Sequence, residues 1–474
     1  MGDRIKTEGQ IYTPQEIVRI LLNSAGYYAP GIRYKHVIDN SCGDGRILKE
    51  VVSRYINSCP GSTNASQIKK ELETYIHGIE LNPSEVEKCK DGLSAIAEEQ
   101  GGITGVNWDI RCGDALSITD YEGKMDYVLG NPPYVRIHNM KNGAYKDFSF
   151  SKDGMADLYL AFYEHGLNMR NEHGILSYIA PSPWIYSASG KNMRKYVERT
   201  RELSKVIDFE STQVFENVQT YVMIAVFDKN RHNEIAYYQY DGKLFSEYKV
   251  ADLVYDDIFI DGKIFFGTSE ELDAIRKING CKANGIVVKN GYATLADKIF
   301  IDGLPPLSKY TINVIKASTG EWKKCLFPYD GLTPVPLDVI KSEAVDVYDY
   351  IVENETQLKA RTFDHTNGEH WHLIGRNQGL GDTFKHKIAV NCIIRTSGDL
   401  KINDVRPGEG VYSGLYILTD NPVSWAEKLL RTDEFVSYVK SLRKYKSGGY
   451  YTFSSKDLQQ YLNFKAYVDE NTKM

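Results

Sequence analysis

One short segment carries residue types that could act together on a poorly nucleophilic amine: Asn131-Pro-Pro-Tyr134, directly after an apolar run at 126–130 that reads as a β-strand. The lone pair of an aromatic amine such as the N6 of adenine is delocalised into its ring, so transfer to it requires acceptors that draw the nitrogen toward sp3 geometry. The Asn131 side-chain oxygen and the Pro132 carbonyl supply two acceptors, and the adjacent prolines hold the backbone that carries them. Tyr134 adds a flat face for an extruded base. A Pro-Pro turn that merely ends a strand is the bland alternative.

Three other sites fall at strand ends. Asp39-Asn-Ser-Cys-Gly-Asp-Gly45 lies between an apolar run and the helical stretch 46–56, and its glycines permit a tight turn and close approach to a ligand. Its spacing fails as a phosphate-binding G-x-G-x-x-G, because no third glycine follows where that pattern needs one. Glu80 ends Tyr-Ile-His-Gly-Ile-Glu, where a carboxylate can take both hydroxyls of a ribose; Asp114 ends Ile-Arg-Cys-Gly-Asp and is placed to accept from an adenine amino group. Each acid alone reads as a surface or cap residue. In series, at the carboxyl ends of successive strands, they describe a site for an adenosine-containing ligand without a pyrophosphate cradle.

These positions need a parallel sheet to bring them together. Segments 36–40, 75–80, 110–113, 126–130, 174–180, 205–209 and 221–227 read as strands, and 14–25, 83–100 and 156–170 as amphipathic helices between them. Thr13-Pro14 reads as an N-cap followed by proline at the first helical position. The fold class is α/β: a Rossmann-like, doubly wound sheet of seven strands, followed by a mixed α+β domain. The boundary falls near 230–265, where short Tyr-rich pieces separated by turn residues take over, with domains at 1–242 and 243–474; 228–233 reads as a linker or a hairpin loop.

At 474 residues the chain exceeds what a single core serves. No apolar run approaches a membrane span, and residues 1–6 lack the apolar region of a secretory signal, so a soluble cytoplasmic protein is expected. The seven cysteines include no Cys-x-x-Cys pair, and His365, His370 and His372 have no metal-ligand spacing, so no metal is expected. A net charge of −6 argues against a simple nucleic-acid binder, which turns attention to where the basic residues cluster. Arg136, His138, Lys141, Lys146 and Lys152 lie in the aperiodic stretch 135–156 beside the Asn131 motif, which is expected to be a mobile loop that orders over DNA. Arg443, Lys444 and Lys446 flank Gly448-Gly449 and can neutralise phosphates. Arg376, Lys385, His386, Lys387 and Arg395 form a second cluster, readable equally as a groove contact or a solvated face.

With these motifs in place the chain resembles the γ group of DNA adenine-N6 methyltransferases from restriction-modification systems, the Taq I type. The resemblance runs from Tyr12-Thr-Pro14 through residues 39–45, Glu80, Asp114, Asn131 to Tyr134, Asp157-Leu-Tyr159, Ile179-Ala-Pro-Ser-Pro183 and Val214-Phe-Glu-Asn217. It implies S-adenosyl-L-methionine as cofactor, with Thr13 and Pro14 at its methionine end and Phe215 stacking on a flipped adenine opposite Tyr134. Tyr12, Asp39, Ser41, Cys42, Gly43, Gly45, Glu80, Leu81, Asp114, Ala115 and Asn131 complete the candidate cofactor contacts. The C-terminal half, especially 444–458, resembles a target-recognition domain. The implied partner is double-stranded DNA, bound by a monomer, with a cognate endonuclease acting on the same site without a stable complex. One departure is Asn40, where the family usually has proline; altered rigidity with retained binding is expected.

Two further readings stand beside this one. A protein-glutamine methyltransferase faces the same electronic problem at an amide, but has no use for 200 additional Tyr- and Lys-rich residues or for Phe215. A catalytically silent DNA-binding subunit has no need of Asn131, Pro132 and Tyr134. Cytosine-C5 methylation needs a Pro-Cys nucleophile, and no Pro-Cys dipeptide occurs. With Tyr12 already in the cofactor motif, neither a fused endonuclease nor a type I helical domain is expected ahead of it.

Overall fold

In the computed structural model, which describes residues 12–137, 140, 143–152, 155–215, 220–240, 247–282, 285–361, 370–376 and 378–472, the chain divides into two units, Met1–Leu272 and Asp273–Met474. The division lies some way beyond residue 242, because the first unit's sheet continues past that point.

The seven sequence-read strands form β1 (Val37–Asp39), β2 (Ile76–Glu80), β3 (Asp109–Cys112), β4 (Met125–Gly130), β5 (Arg170–Pro181), β6 (Leu203–Asp208) and β7 (Val222–Asp228). Two more, β8 (Glu234–Tyr240) and β9 (Glu247–Val254), extend the sheet to nine strands in the order β3-β2-β1-β4-β5-β7-β6-β8-β9. Strands β1 to β5 run parallel, with Ile38 beside both His77 and Val128, so the ends bearing Asp39, Glu80 and Gly130 share one edge. Strand β7 is antiparallel to both neighbours. Residues 228–233 form neither a linker nor a hairpin loop: they join β7 to β8, which pairs instead with β6 in parallel.

Helices cover both faces. On one side lie α1 (Gln15–Ser24), α2 (Arg46–Ser58), α3 (Ala65–Tyr75) and α4 (Pro83–Gly101), whose apolar stripes share a core with Leu129, Ile179, Ile207 and Ile224. The alternate residues of the same strands meet α5 (Leu158–Met169) on the other side, where Tyr163 packs against Tyr178 and Phe227. A further helix, α6 (Lys191–Thr200), buries Met193 and Val197. The start of α4 follows from its sequence: Asn82 caps it, accepting from Ser84 N, and Pro83 occupies the first turn. The start of α1 departs from expectation. Its cap position is Pro14, and the Thr13 hydroxyl is engaged elsewhere.

The second unit is mixed α+β. A four-stranded antiparallel sheet orders Val287–Asn290, Leu415–Leu418, Lys387–Val390 and Ile402–Val405, and a three-stranded sheet joins Glu321–Leu326, Thr311–Lys316 and Gly410–Tyr412. A small sheet of Ile393–Ile394, Tyr450–Thr452 and Tyr445–Lys446 precedes the long helix Ser455–Thr472. Among the described residues no helix is long and apolar enough to cross a membrane, and no three His, Cys, Asp or Glu side chains converge as a metal site.

Candidate active site

A cavity of about 640 Å3 lies at the carboxyl edge of β1 to β4. Eleven sequence-read residues line it: Tyr12, Thr13, Asp39, Ser41, Cys42, Gly43, Glu80, Leu81, Asp114, Ala115 and Asn131. Pro14, Gly45, Pro132, Tyr134 and Phe215 are not among its lining residues.

The turn after β1 is built by its glycines, for different reasons. Gly43 has φ +52°, and its backbone N–H donates to Glu80 Oε2 at 2.9 Å. Gly45 has φ +83°, and a Cβ there would stand 2.6 Å from the Cys89 sulfur of α4 and 3.3 Å from its Cα. The close approach that requires Gly45 is therefore helix packing, rather than ligand contact. Gly45→Ala combines left-handed strain with overpacking and should cost roughly 2–4 kcal/mol. Gly43→Ala, with open space around the new methyl, should cost only about 1–2 kcal/mol. Equal midpoints for the two variants in thermal unfolding would contradict this division.

Glu80 is held from both ends, by Gly43 N on one oxygen and Asn82 N on the other at 2.9 Å. Two amide donors fix the carboxylate plane and still leave each oxygen able to accept from a hydroxyl. Asp39 is buried and accepts from Ser41 N at 3.0 Å. Burial pushes its carboxyl up to about 7, against the pull of the Ser41 amide and with the Glu80 charge adding to the rise. Asp114 is exposed and caps the short 3-10 turn Ala115–Ser117, accepting from Leu116 N at 3.1 Å. Tyr12 lies under the Arg46 guanidinium, 4.7 Å from its ring centre.

Asn131 is tied to this edge. Its Nδ2 donates to Thr13 Oγ1 at 3.1 Å, and its backbone oxygen accepts from Ser41 Oγ at 3.3 Å. With the nitrogen committed to Thr13, the oxygen is the end of the amide suited to accept from an amine. Thr13 thus orients Asn131, while Pro14 starts α1.

The aromatic pair differs from expectation. Tyr134 donates its hydroxyl to Ile179 O at 3.2 Å, and Phe215 is buried with its ring edge-on to Tyr134, at 6.0 Å and 68°. Two walls of a base sandwich would stand parallel, so here Phe215 completes the core instead.

The basic residues also separate. Arg136 is exposed, 3.9 Å from Asp157, and Lys146 is exposed beside the Tyr145 ring; Lys141 and His138 lie outside the described residues. Much of 135–156 is packed: Tyr145 and Phe150 are buried in 3-10 turns, and Phe150 N donates to Glu164 of α5. Its aromatics supply apolar anchors that an aperiodic pattern conceals. Arg443 is buried and Lys444 pairs with the buried Asp457, which removes both from the phosphate-contacting set; Lys446 is exposed. Of the second cluster, Lys387 is buried and donates to the carbonyls of Asp382, Thr383 and Lys385, while His386 bridges Thr419 O and Asp404. His372 is a core residue bonded to Val335 O.

Sequence reasoning missed Arg46, Leu116, Tyr145 and Phe162 among the lining residues, and named Asn40 and Leu158 within motifs without assigning them a place in the cavity. The i, i+4 pair Leu158 and Phe162, directly after Asp157, was the findable signal for an apolar wall.

Residues 56–215 match the family described as Eco57I restriction-modification methylase. The Type II restriction enzyme and methyltransferase RM.Eco57I of Escherichia coli is 31% identical over 366 aligned residues, 61% of this chain and 36% of that protein. The Type II methyltransferase M.BstVI of Geobacillus stearothermophilus is 28% identical, over 48% of this chain and 43% of that one. The chain spans less than half the length of these curated relatives. Among solved structures, the Type IIL restriction-modification enzyme MmeI in complex with DNA shares the fold, with a TM-score of 0.63 over 93% of this chain and 63% of that one at 12% identity. Over part of its length the chain is thus similar to methylases of restriction-modification systems, and the matched segment lies in its first unit.

Proposed function

We propose that the protein is a site-specific DNA adenine-N6 methyltransferase of γ type, using S-adenosyl-L-methionine, with the second unit selecting the sequence. The observation that carries this reading is Asn131, held by Thr13 and Ser41 at the wall of a cavity that also presents Asp39, Glu80 and Asp114. The donor set fits the cofactor. Glu80 is a fixed carboxylate that would take ribose hydroxyls, Asp114 at the next strand end would accept from an adenine amine, and Thr13 and Asp39 would hold the methionine moiety. A cavity of this size is in the range of small-molecule sites. The bound group would supply an electrophilic methyl on a sulfonium. The chain's own residues hold the target amine: Asn131 and the Pro132 carbonyl accept its two hydrogens and raise the nitrogen's nucleophilicity, without a covalent enzyme intermediate.

Expression in a methylation-free host, followed by single-molecule sequencing of the chromosome, tests the proposal. N6-methyladenine in one recurrent sequence is expected. Unmodified DNA with methylated glutamine in a host protein would overturn it.

Asp39 gives a pH dependence. A carboxyl raised to about 7 is largely protonated below that value, and a cationic ligand is bound better by the ionised form. Cofactor affinity should therefore fall as pH drops below 7, approaching about tenfold per unit, and Asp39→Asn should flatten the profile. Calorimetry from pH 5.5 to 8.5 checks this, and a flat wild-type profile would rule it out.

A further inference from the structure

Asn40 is almost wholly buried beside the cavity, and its amide is used from both ends. Its Oδ1 accepts from the Tyr178 hydroxyl of β5 at 2.7 Å, and its Nδ2 meets His165 Nδ1 of α5 at 3.3 Å. The other ring nitrogen, His165 Nε2, lies 3.1 Å from Ile118 O, at the end of the turn that Asp114 opens. His165 is buried, and burial lowers its affinity for a proton, so the ring is neutral. One proton arrangement satisfies every member: Tyr178 donates to Asn40, Asn40 to His165 Nδ1, and His165 Nε2–H to Ile118 O. Proline, leucine or alanine at 40 could make none of these bonds.

This chain joins segments that each form part of the cavity. Asn40 begins the turn that carries Ser41 to Gly43, Ile118 follows Asp114 to Leu116, and His165 shares α5 with Leu158 and Phe162. At its far end the Tyr178 ring lies against Gly130, where an added Cβ would be 3.0 Å away, directly before Asn131.

We infer that Asn40 is a positioning residue: through Tyr178 and His165 it locks the glycine turn after β1 to the Asp114 turn and to α5, and so sets the cofactor-competent shape of the cavity. This rests on the methyltransferase reading for the ligand's identity but not for the clamp itself. A buried network satisfied throughout rigidifies what it joins, and loss of one member leaves the others unpaired.

Two readouts on the full chain test it. Without ligand, hydrogen exchange at the amides of 41–45 and 115–118 should accelerate about tenfold in Asn40→Ala and His165→Leu, with β6 and β7 unchanged. His165→Asn, whose Oδ1 can stand in for Nδ1 but which has no counterpart to Nε2, should keep exchange at 41–45 near wild type while 115–118 accelerates as in His165→Leu. By calorimetry with S-adenosylhomocysteine, Asn40→Ala and His165→Leu should bind about tenfold more weakly. Wild-type exchange and affinity in Asn40→Ala would overturn the inference, as would His165→Asn behaving like His165→Leu at 41–45, since the histidine would then act on that turn by packing alone. No binding by the wild-type protein would overturn the cofactor reading and leave the ligand-free exchange to decide the clamp; binding that Asn40→Ala leaves unchanged overturns only this inference.

Discussion

Asn131→Ala should lower methyl transfer to duplex DNA by at least 10²–10³-fold, about 3–4 kcal/mol of transition-state stabilisation, with cofactor and DNA affinity changed by less than about threefold. The asymmetry follows from chemistry: an acceptor for amine hydrogens is used most strongly as the nitrogen acquires positive charge, and little while the planar amine merely binds. The structure adds a control. Because Asn131 Nδ2 donates to Thr13 Oγ1, Thr13→Val removes the contact that sets the amide's orientation and retains the acceptor itself. Its loss of turnover should lie between wild type and Asn131→Ala. Single-turnover assays with labelled cofactor, alongside separate binding measurements, check both. Wild-type turnover in Asn131→Ala would leave Asn131 a turn residue and remove the basis for the proposed chemistry.

The same residues show what a sequence can and cannot convey. Strands β1 to β7 were legible as β-branched or apolar stretches between turn signals, and the strand ends supplied nine of the eleven sequence-read residues of one cavity, Tyr12 and Thr13 coming from ahead of α1. Helices α3 and α6 were missed, since Gln67-Ile-Lys-Lys-Glu-Leu-Glu-Thr-Tyr75 and Lys191-Asn-Met-Arg-Lys-Tyr-Val-Glu-Arg-Thr200 carry few apolar residues on a mostly charged surface. Periodicity is a signal of burial, and these helices bury little. Partners were less legible than elements. Thr13 has the right type for a cap, and only the spatial arrival of Asn131, 118 positions later, shows where its hydroxyl is used. Phe215 has the right type for stacking, and its burial edge-on to Tyr134 is a property of packing that no local pattern encodes. Asn40 looked like a loss of stiffness relative to proline, whereas its amide supplies stiffness of another kind.

Charge was the most misleading signal, and Lys444 and Lys446 provide the test. They are two residues apart in a Lys-rich segment, yet their surroundings are opposite. Lys444 is mostly buried against Asp457, whose side chain is 1% exposed and also accepts from Ser454 N and Oγ. Burial alone would raise the Asp457 carboxyl, but the Lys444 ammonium outweighs it, with Ser454 adding to the fall, so the acid is held below its ordinary value. A depressed carboxyl contributes stability above its unfolded value near 4, and that contribution is lost as pH falls through the lower, folded value. Lys444→Ala should leave Asp457 buried without its ammonium and cost about 3 kcal/mol, at the lower end for a broken buried pair because Ser454 still donates. For a unit of some 200 residues that is a fall of roughly 6–12 °C in Tm. Lys446 is exposed on the adjoining hairpin, so Lys446→Ala should keep the wild-type Tm and instead reduce the slope of log affinity for duplex DNA against log salt by about 0.9, the loss of one phosphate contact. Scanning calorimetry and a salt titration on both variants separate the two roles. A lowered salt slope at full stability in Lys444→Ala would return Lys444 to the DNA-contacting surface and make its pairing with Asp457 incidental.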